Sequence, residues 1–245
     1  MYKLLIRKGF IGLILGVLVL QACNTSHIRE IPVGDFFKTP EKSSFKISPN
    51  GKYISYFKRY KVKQNIFIQD LMEGKEQRVT SFTDFSVRDY FWTVDNQLLF
   101  TRSITANAHK TAPNITPVNQ IKMYVLNVST MQMRVLMTQS KVHVRTIQTK
   151  NRLHPDLITI SMNKRDSATF DIYRLNIRTG ELKPYIINPG NIIDWYSDRE
   201  GRIRLAKASD GVDESILYRA NENMPFKTVI TNNFKNSVQP IAFTG

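Results

Sequence analysis

A short apolar run, a polar turn, a second apolar run and a further hairpin recur four times along this 245-residue chain, and no other feature constrains its fold as tightly. The clearest copy reads Ile47-Ser48-Pro49-Asn50-Gly51-Lys52-Tyr53-Ile54-Ser55-Tyr56 and continues into Asn65-Ile66-Phe67-Ile68-Gln69-Asp70-Leu71. A second runs from Tyr90-Phe91-Trp92 through Gln97-Leu98-Leu99-Phe100 to Ile121-Lys122-Met123-Tyr124-Val125-Leu126. The third opens at His154-Pro155-Asp156-Leu157-Ile158-Thr159-Ile160-Ser161 and passes Phe170-Asp171-Ile172-Tyr173-Arg174-Leu175 to the turn Arg178-Thr179-Gly180-Glu181. The fourth begins at Asp194-Trp195-Tyr196-Ser197-Asp198, continues into Ile203-Arg204-Leu205-Ala206 and ends in Ser215-Ile216-Leu217-Tyr218. Within the runs, apolar and polar residues alternate with the period of two that marks a half-buried strand. Asn50-Gly51 is a tight-turn pair, because both residues tolerate positive φ.

The equivalent turn positions Asn50, Asp95, Asp156 and Asp198 stand 45, 61 and 42 residues apart. Units of about 40 to 50 residues are those of propeller blades. The long middle interval is read as an exposed insertion at residues 103–119, rich in Ala, Asn, Thr and Pro. A β-sandwich also places hairpins at such intervals, but it does not repeat the same strand-and-turn phrase in constant order. The sequence therefore predicts an all-β chain holding a partial β-propeller of about four blades, each a four-stranded antiparallel sheet. The repeats stop near residue 245, where another copy would begin, so the chain reads as the front part of a longer ring.

Composition supports a packed protein: 42% hydrophobic, 22% charged and 11% aromatic residues are ordinary for a globular domain and lean toward strands. The formal charge of +15 is less informative than its size suggests. Nucleic-acid binding would cluster it on one helix or stripe with interleaved aromatics. Here Lys58, Arg59, Lys61, Lys63, Arg174 and Arg178 are scattered through turns and alternate strand positions. The charge is read as solvated blade surface, with attraction to anionic lipid as a middle reading and no nucleic-acid partner expected.

The N-terminal residues carry a different signal. Lys3, Arg7 and Lys8 precede an apolar run at 10–20. That run is too short for a comfortable membrane span, which needs roughly 20 residues, but suits a secretory signal. It leads into Leu20-Gln21-Ala22-Cys23. This resembles a bacterial lipobox, which implies signal cleavage after Ala22 and lipid attachment at Cys23, the chain's sole cysteine. An unpaired thiol in an oxidising compartment is otherwise a liability. The expected domains are a signal peptide at 1–22, a lipid-anchored tether and docking segment at 23–44 with Phe36 and Phe37 as anchors, and the incomplete propeller at 45–245. The expected location is the cell envelope, lipid-anchored and facing the periplasm or the cell surface.

Three segments taken in order carry a more specific likeness. They are Phe36-Phe37-Lys38-Thr39-Pro40-Glu41-Lys42-Ser43-Ser44-Phe45 running into Ile47-Ser48-Pro49-Asn50-Gly51-Lys52-Tyr53; Met162-Asn163-Lys164-Arg165-Asp166 with Phe170-Asp171-Ile172-Tyr173-Arg174-Leu175-Asn176; and Thr179-Gly180-Glu181-Leu182 before Asn188-Pro189-Gly190-Asn191-Ile192. Together they resemble the N-terminal propeller of bacterial prolyl-oligopeptidase-family serine peptidases, in the dipeptidyl-aminopeptidase and acylaminoacyl-peptidase branch. The Ser-Pro-Asn-Gly-Lys phrase alone is shared with TolB-like propellers. The resemblance implies a propeller that restricts access of peptides to a separate α/β-hydrolase domain. It also implies a serine nucleophile in a Gly-x-Ser-x-Gly elbow, a motif that this sequence does not contain. The hydrolase domain is therefore expected to be absent from this chain, which is expected to be inactive alone, with no catalytic residue of its own.

The expected partners are a hydrolase domain in cis or in trans, peptides, and the membrane through the lipid. The alternative is a non-catalytic envelope propeller that serves as a protein- or peptide-binding scaffold. No metal or cofactor is expected, since His27, His109, His143 and His154 are scattered and form no ligand pair. His154-Pro155-Asp156 is read as a blade turn held by hydrogen bonds to backbone.

Overall fold

The computed structural model describes residues 31–38, 40–87, 89–93, 96–105, 119–233, 235–236 and 238–243. The chain divides into two compact units, Met1–Pro40 and Glu41–Gly245. Among the described residues of the first lies a short helical turn, α1 (Val33–Phe36), which buries none of its residues. Phe36 and Phe37, expected as anchors, are exposed.

The second unit holds four four-stranded antiparallel sheets, each a simple meander in chain order. The first blade is β1 (Lys42–Ile47), β2 (Tyr53–Tyr60), β3 (Lys63–Asp70) and β4 (Glu76–Arg78). The second is β5 (Tyr90–Trp92), β6 (Gln97–Thr105), β7 (Asn119–Asn127) and β8 (Gln132–Ser140). The third is β9 (Val144–Gln148), β10 (Leu157–Asp166), β11 (Thr169–Asn176) and β12 (Leu182–Ile186). The fourth is β13 (Ile192–Ser197), β14 (Ile203–Ser209), β15 (Glu214–Tyr218) and β16 (Lys227–Asn232). The chain is thus a partial propeller of four blades, and the sheets do not close into a ring.

The core lies between blades rather than within any one of them. Phe57, Ile66 and Ile68 of the first blade meet Trp92, Leu98, Phe100 and Leu126 of the second. Leu99, Met123 and Val125, on the opposite face of that second sheet, meet Ile158, Ile160, Met162 and Leu175 of the third. Ile172 on the far face of the third sheet meets Trp195, Ile203 and Ala206 of the fourth. Because side chains alternate across a strand, each interior blade supplies two apolar faces, one to each neighbour. Both tryptophans work alike: Trp92 Nε1 donates to Ser55 Oγ at 2.8 Å and Trp195 Nε1 donates to the Phe170 carbonyl at 3.2 Å, each reaching back to the preceding blade.

Three details differ from the sequence expectation. The propeller starts earlier than Phe45, because Lys42 and Ser43 already pair with Lys58 and Phe57, and the register then shifts before Lys46. Ser44 sits at that irregularity with a φ of 55°, so a stretch that looks like polar linker is a bulged strand. The insertion at 103–119 is strand at both ends, since Ser103, Ile104 and Thr105 pair with Ile121, Gln120 and Asn119. Finally, the innermost strand of the third blade is β9, ahead of His154, rather than the run after it.

Candidate ligand-facing mouth

In each blade the turn after the first strand lies at the same end of the sheet, and local hydrogen bonds shape it. In the first blade Ser48 accepts from Gly51 N through its carbonyl at 2.9 Å, while Asn50 Oδ1 accepts from Lys52 N at 3.1 Å. In the fourth, Asp198 takes that place: its carbonyl accepts from Gly201 N, and its Oδ1 accepts from Glu200 N and Arg202 N at 3.0 Å each. These are side-chain-closed turns of the kind that Asn, Asp and Ser favour.

Hydrogen bonds then stitch the four turns to one another. Asn50 N donates to Asn96 Oδ1 at 3.0 Å, from the first blade to the second. Thr149 Oγ1 donates to the Trp92 carbonyl at 3.0 Å, from the third to the second. Gln148 Nε2 donates to the Asp198 carbonyl at 2.8 Å, from the third to the fourth. Gly201 packs directly over this last link: with a φ of 83°, a Cβ placed on it would lie 2.4 Å from Asn151 Nδ2 and 2.7 Å from Gln148 Oε1.

A cavity of about 570 Å³ opens among these turns, with Pro49 of the first blade on one side and Ser197, Asp198 and Arg199 of the fourth on the other. Gln148, Lys150 and Arg152 line it from the third blade, and Phe243 closes part of its edge. Its charges are unevenly spent. Asp198 is buried and turned inward, held by Arg202 Nε at 2.7 Å with Arg204 at 3.7 Å. Lys150, Arg152 and Arg199 are exposed and make no ion pair among the described residues.

Away from the mouth, several charges are consumed in structure. On the outer face of the first blade, Lys42 Nζ donates to Tyr56 Oη at 2.9 Å and pairs with Glu76 at 2.8 Å, and Lys58 pairs with the same carboxylate at 3.0 Å. Tyr56 Oη donates to Glu76 Oε2 as well. The Lys42 hydrogen bond, followed by that from Tyr56, holds the Glu76 carboxyl down to about 2. In the third blade Arg165 clamps fully buried Asp171 through Nε at 2.9 Å and Nη2 at 3.0 Å. Burial pushes the Asp171 carboxyl up, but the Arg165 bonds and the Asn188 N–H outweigh it and leave it below its usual range.

Of the residues singled out in the sequence, Ala22, Cys23, His27 and His109 lie outside the described residues. His143 and His154 are exposed and line no part of the mouth. His154 is held through its main chain, its N–H donating to Asn151 Oδ1 at 2.9 Å and its carbonyl accepting from Leu157 N at 2.9 Å. Among the described residues no group of three His, Cys, Asp or Glu side chains could hold a metal ion. Ser197 is the hydroxyl that lines the mouth, and no histidine stands there to activate it. Sequence reasoning missed the cationic rim because Arg199 lies 47 residues beyond Arg152 in the chain, and only the stacking of the third and fourth blades brings it to the turn that carries Lys150 and Arg152.

No family model matches the chain. Dipeptidyl aminopeptidase BIII of Pseudoxanthomonas mexicana is 25% identical over 205 residues, covering 80% of this chain and 28% of the relative. Dipeptidyl peptidase family member 6 of Caenorhabditis elegans is 26% identical over 228 residues, covering 90% and 29%. The chain thus spans less than a third of the length of these curated relatives. Among solved structures, an acylaminoacyl peptidase of Pyrococcus horikoshii superposes with a TM-score of 0.55 at 18% identity, over 78% of this chain and 32% of that one. The β-propeller domain of the Trilobed protease of Pyrococcus furiosus does so at 0.51 and 14%, over 77% and 56%. The superpositions establish the propeller fold. The two sequence relatives support a peptidase-family propeller portion.

Proposed function

We propose, taking this chain as a propeller portion of the peptidase family, that it is the substrate-gating and docking part of a prolyl-oligopeptidase-family serine peptidase. In this reading the chemistry comes from an α/β-hydrolase unit in cis or in trans, and the mouth faces the peptide. The observation that carries the proposal is the match to two dipeptidyl peptidases over most of this chain but under a third of their lengths. The described residues add a scaffold whose turns converge on a cavity without a nucleophile–base pair. Function lives in sites rather than folds, so the propeller alone is assigned gating and docking.

The protein is proposed to reside in the cell envelope, anchored by lipid on Cys23 after cleavage behind Ala22. Metabolic labelling with a fatty-acid analogue tests the anchor, and label surviving Cys23→Ala contradicts it. For activity, the purified full chain is expected to give no turnover of dipeptidyl or acyl-aminoacyl chromogenic substrates. Turnover blocked by a serine-directed phosphonate would overturn the division of labour proposed here.

A further inference from the structure

We infer that the cationic rim of the mouth, formed by Lys150, Arg152 and Arg199, is a docking site for an acidic peptide segment. The inference rests on the proposed peptide-facing role and names the class of peptide. Its first support is how Lys150 and Arg199 are mounted. Lys150 stands between Thr149 and Asn151, both buried, with Thr149 tied to the Trp92 carbonyl and Asn151 tied to His154 N. Arg199 follows Asp198, which is buried and bound through its carbonyl to Gln148 and through its carboxylate to Arg202. Exposed cations therefore rise from backbone pinned on the inner side, so little ordering is needed on binding.

The second support is that three cations without an ion pair share one opening, whereas unpaired cations elsewhere, such as Lys61, Lys63 and Lys164, do not line it. Lys42 and Lys58 share Glu76, Lys52 faces Asp70 and Arg165 grips Asp171, whereas the one carboxylate lining the mouth, Asp198, is occupied from within. Three unneutralised cations at one opening favour a ligand that carries carboxylates. The third support is size. About 570 Å³ walled in part by Pro49 and Phe243 accommodates a few residues of peptide.

The experiment uses the full chain in mild detergent, with fluorescein-labelled hexaglutamate and hexaglutamine as probes and fluorescence anisotropy as the readout. Hexaglutamate is expected to bind, more weakly as salt is raised, and hexaglutamine is not. A variant carrying Lys150→Gln, Arg152→Gln and Arg199→Gln is expected to bind hexaglutamate about tenfold less well. A control with Lys61→Gln, Lys63→Gln and Lys164→Gln removes equal charge elsewhere and is expected to bind as the parent does. Matching thermal melts show that both variants are folded. Equal binding by the mouth variant and the parent overturns the inference, as does an equal loss in the control, which would trace binding to net charge. So does rim-dependent binding of anionic vesicles or single-stranded oligonucleotide with none of hexaglutamate. Rim-dependent hexaglutamate binding by a protein that has no associated hydrolase retires the peptidase reading and leaves this site standing. An active peptidase without such binding does the reverse.

Discussion

Gly201 shows how much of the junction between the third and fourth blades rests on one missing side chain. Its positive φ strains any other residue, and its Cα faces Asn151 and Gln148 at distances that exclude a Cβ. Neither neighbour can move freely, because Asn151 holds His154 N and Gln148 holds the Asp198 carbonyl. Gly201→Ala is expected to destabilise the propeller by about 2 kcal/mol, from backbone strain plus a broken link. Gly211 supplies the comparison: its φ is 99° but nothing lies within 4 Å of its would-be Cβ. Gly211→Ala is therefore expected to cost only the strain, about 1 kcal/mol. Urea midpoints of the two variants check this, and equal losses would show that the contacts around Gly201 do not matter. The sequence could suggest a turn at Asp198, since Asp and Gly mark turns whatever surrounds them. It could not show that this glycine lies beneath another blade.

At the scale of elements, the middle strands of the blades were legible and some edge strands were not. β2, β3, β6, β7, β10, β11 and β14 carry apolar runs because both faces of their sheets meet neighbours or lie near the blade centre. β4 (Glu76–Arg78) and β16 (Lys227–Asn232) are exposed almost throughout, so no alternation betrays them, although backbone pairing places both in their sheets. β4 nevertheless carries a group that the first blade depends on. Glu76 joins β4 to Lys42 on β1 and to Tyr56 and Lys58 on β2. Its carboxyl is held at about 2 in the folded chain against an ordinary value near 4.5. A depressed carboxylate adds stability that is present above its unfolded value and lost as pH falls through the folded one. Acid titration of stability should therefore show a loss between about pH 4.5 and pH 2 that Glu76→Gln removes. Because these side chains are partly exposed, the contribution is about 1 kcal/mol after solvent screening. An unchanged acid limb in Glu76→Gln would assign that loss to other groups.

For the whole molecule, the repeat made the architecture readable, because phased hairpins say more than any one strand. The mouth was not readable, since it is a property of the stack. The stack also sets where the molecule is held most firmly. The second and third blades bury apolar residues on both faces, whereas in the first and fourth one face meets no further described blade. In repeat architectures stability comes largely from neighbour interfaces. Amide exchange by mass spectrometry is therefore expected to be slowest in β6, β7, β10 and β11 and faster in β4 and β16. Uniform protection across all sixteen strands would instead indicate that the outer faces of the first and fourth blades are covered, by further chain or by a second copy.

The central proposal is that this propeller admits and docks peptide for a serine hydrolase unit in cis or in trans, whose nucleophile lies outside residues 1–245. The most direct measurement is to purify the protein natively under its own promoter, label it with a fluorophosphonate and map the modified serine by peptide sequencing. The account expects one labelled serine in a Gly-x-Ser-x-Gly elbow outside residues 1–245, either further along the same polypeptide or in a bound partner. Label on a serine within the blades, or none in the purified material, would contradict it.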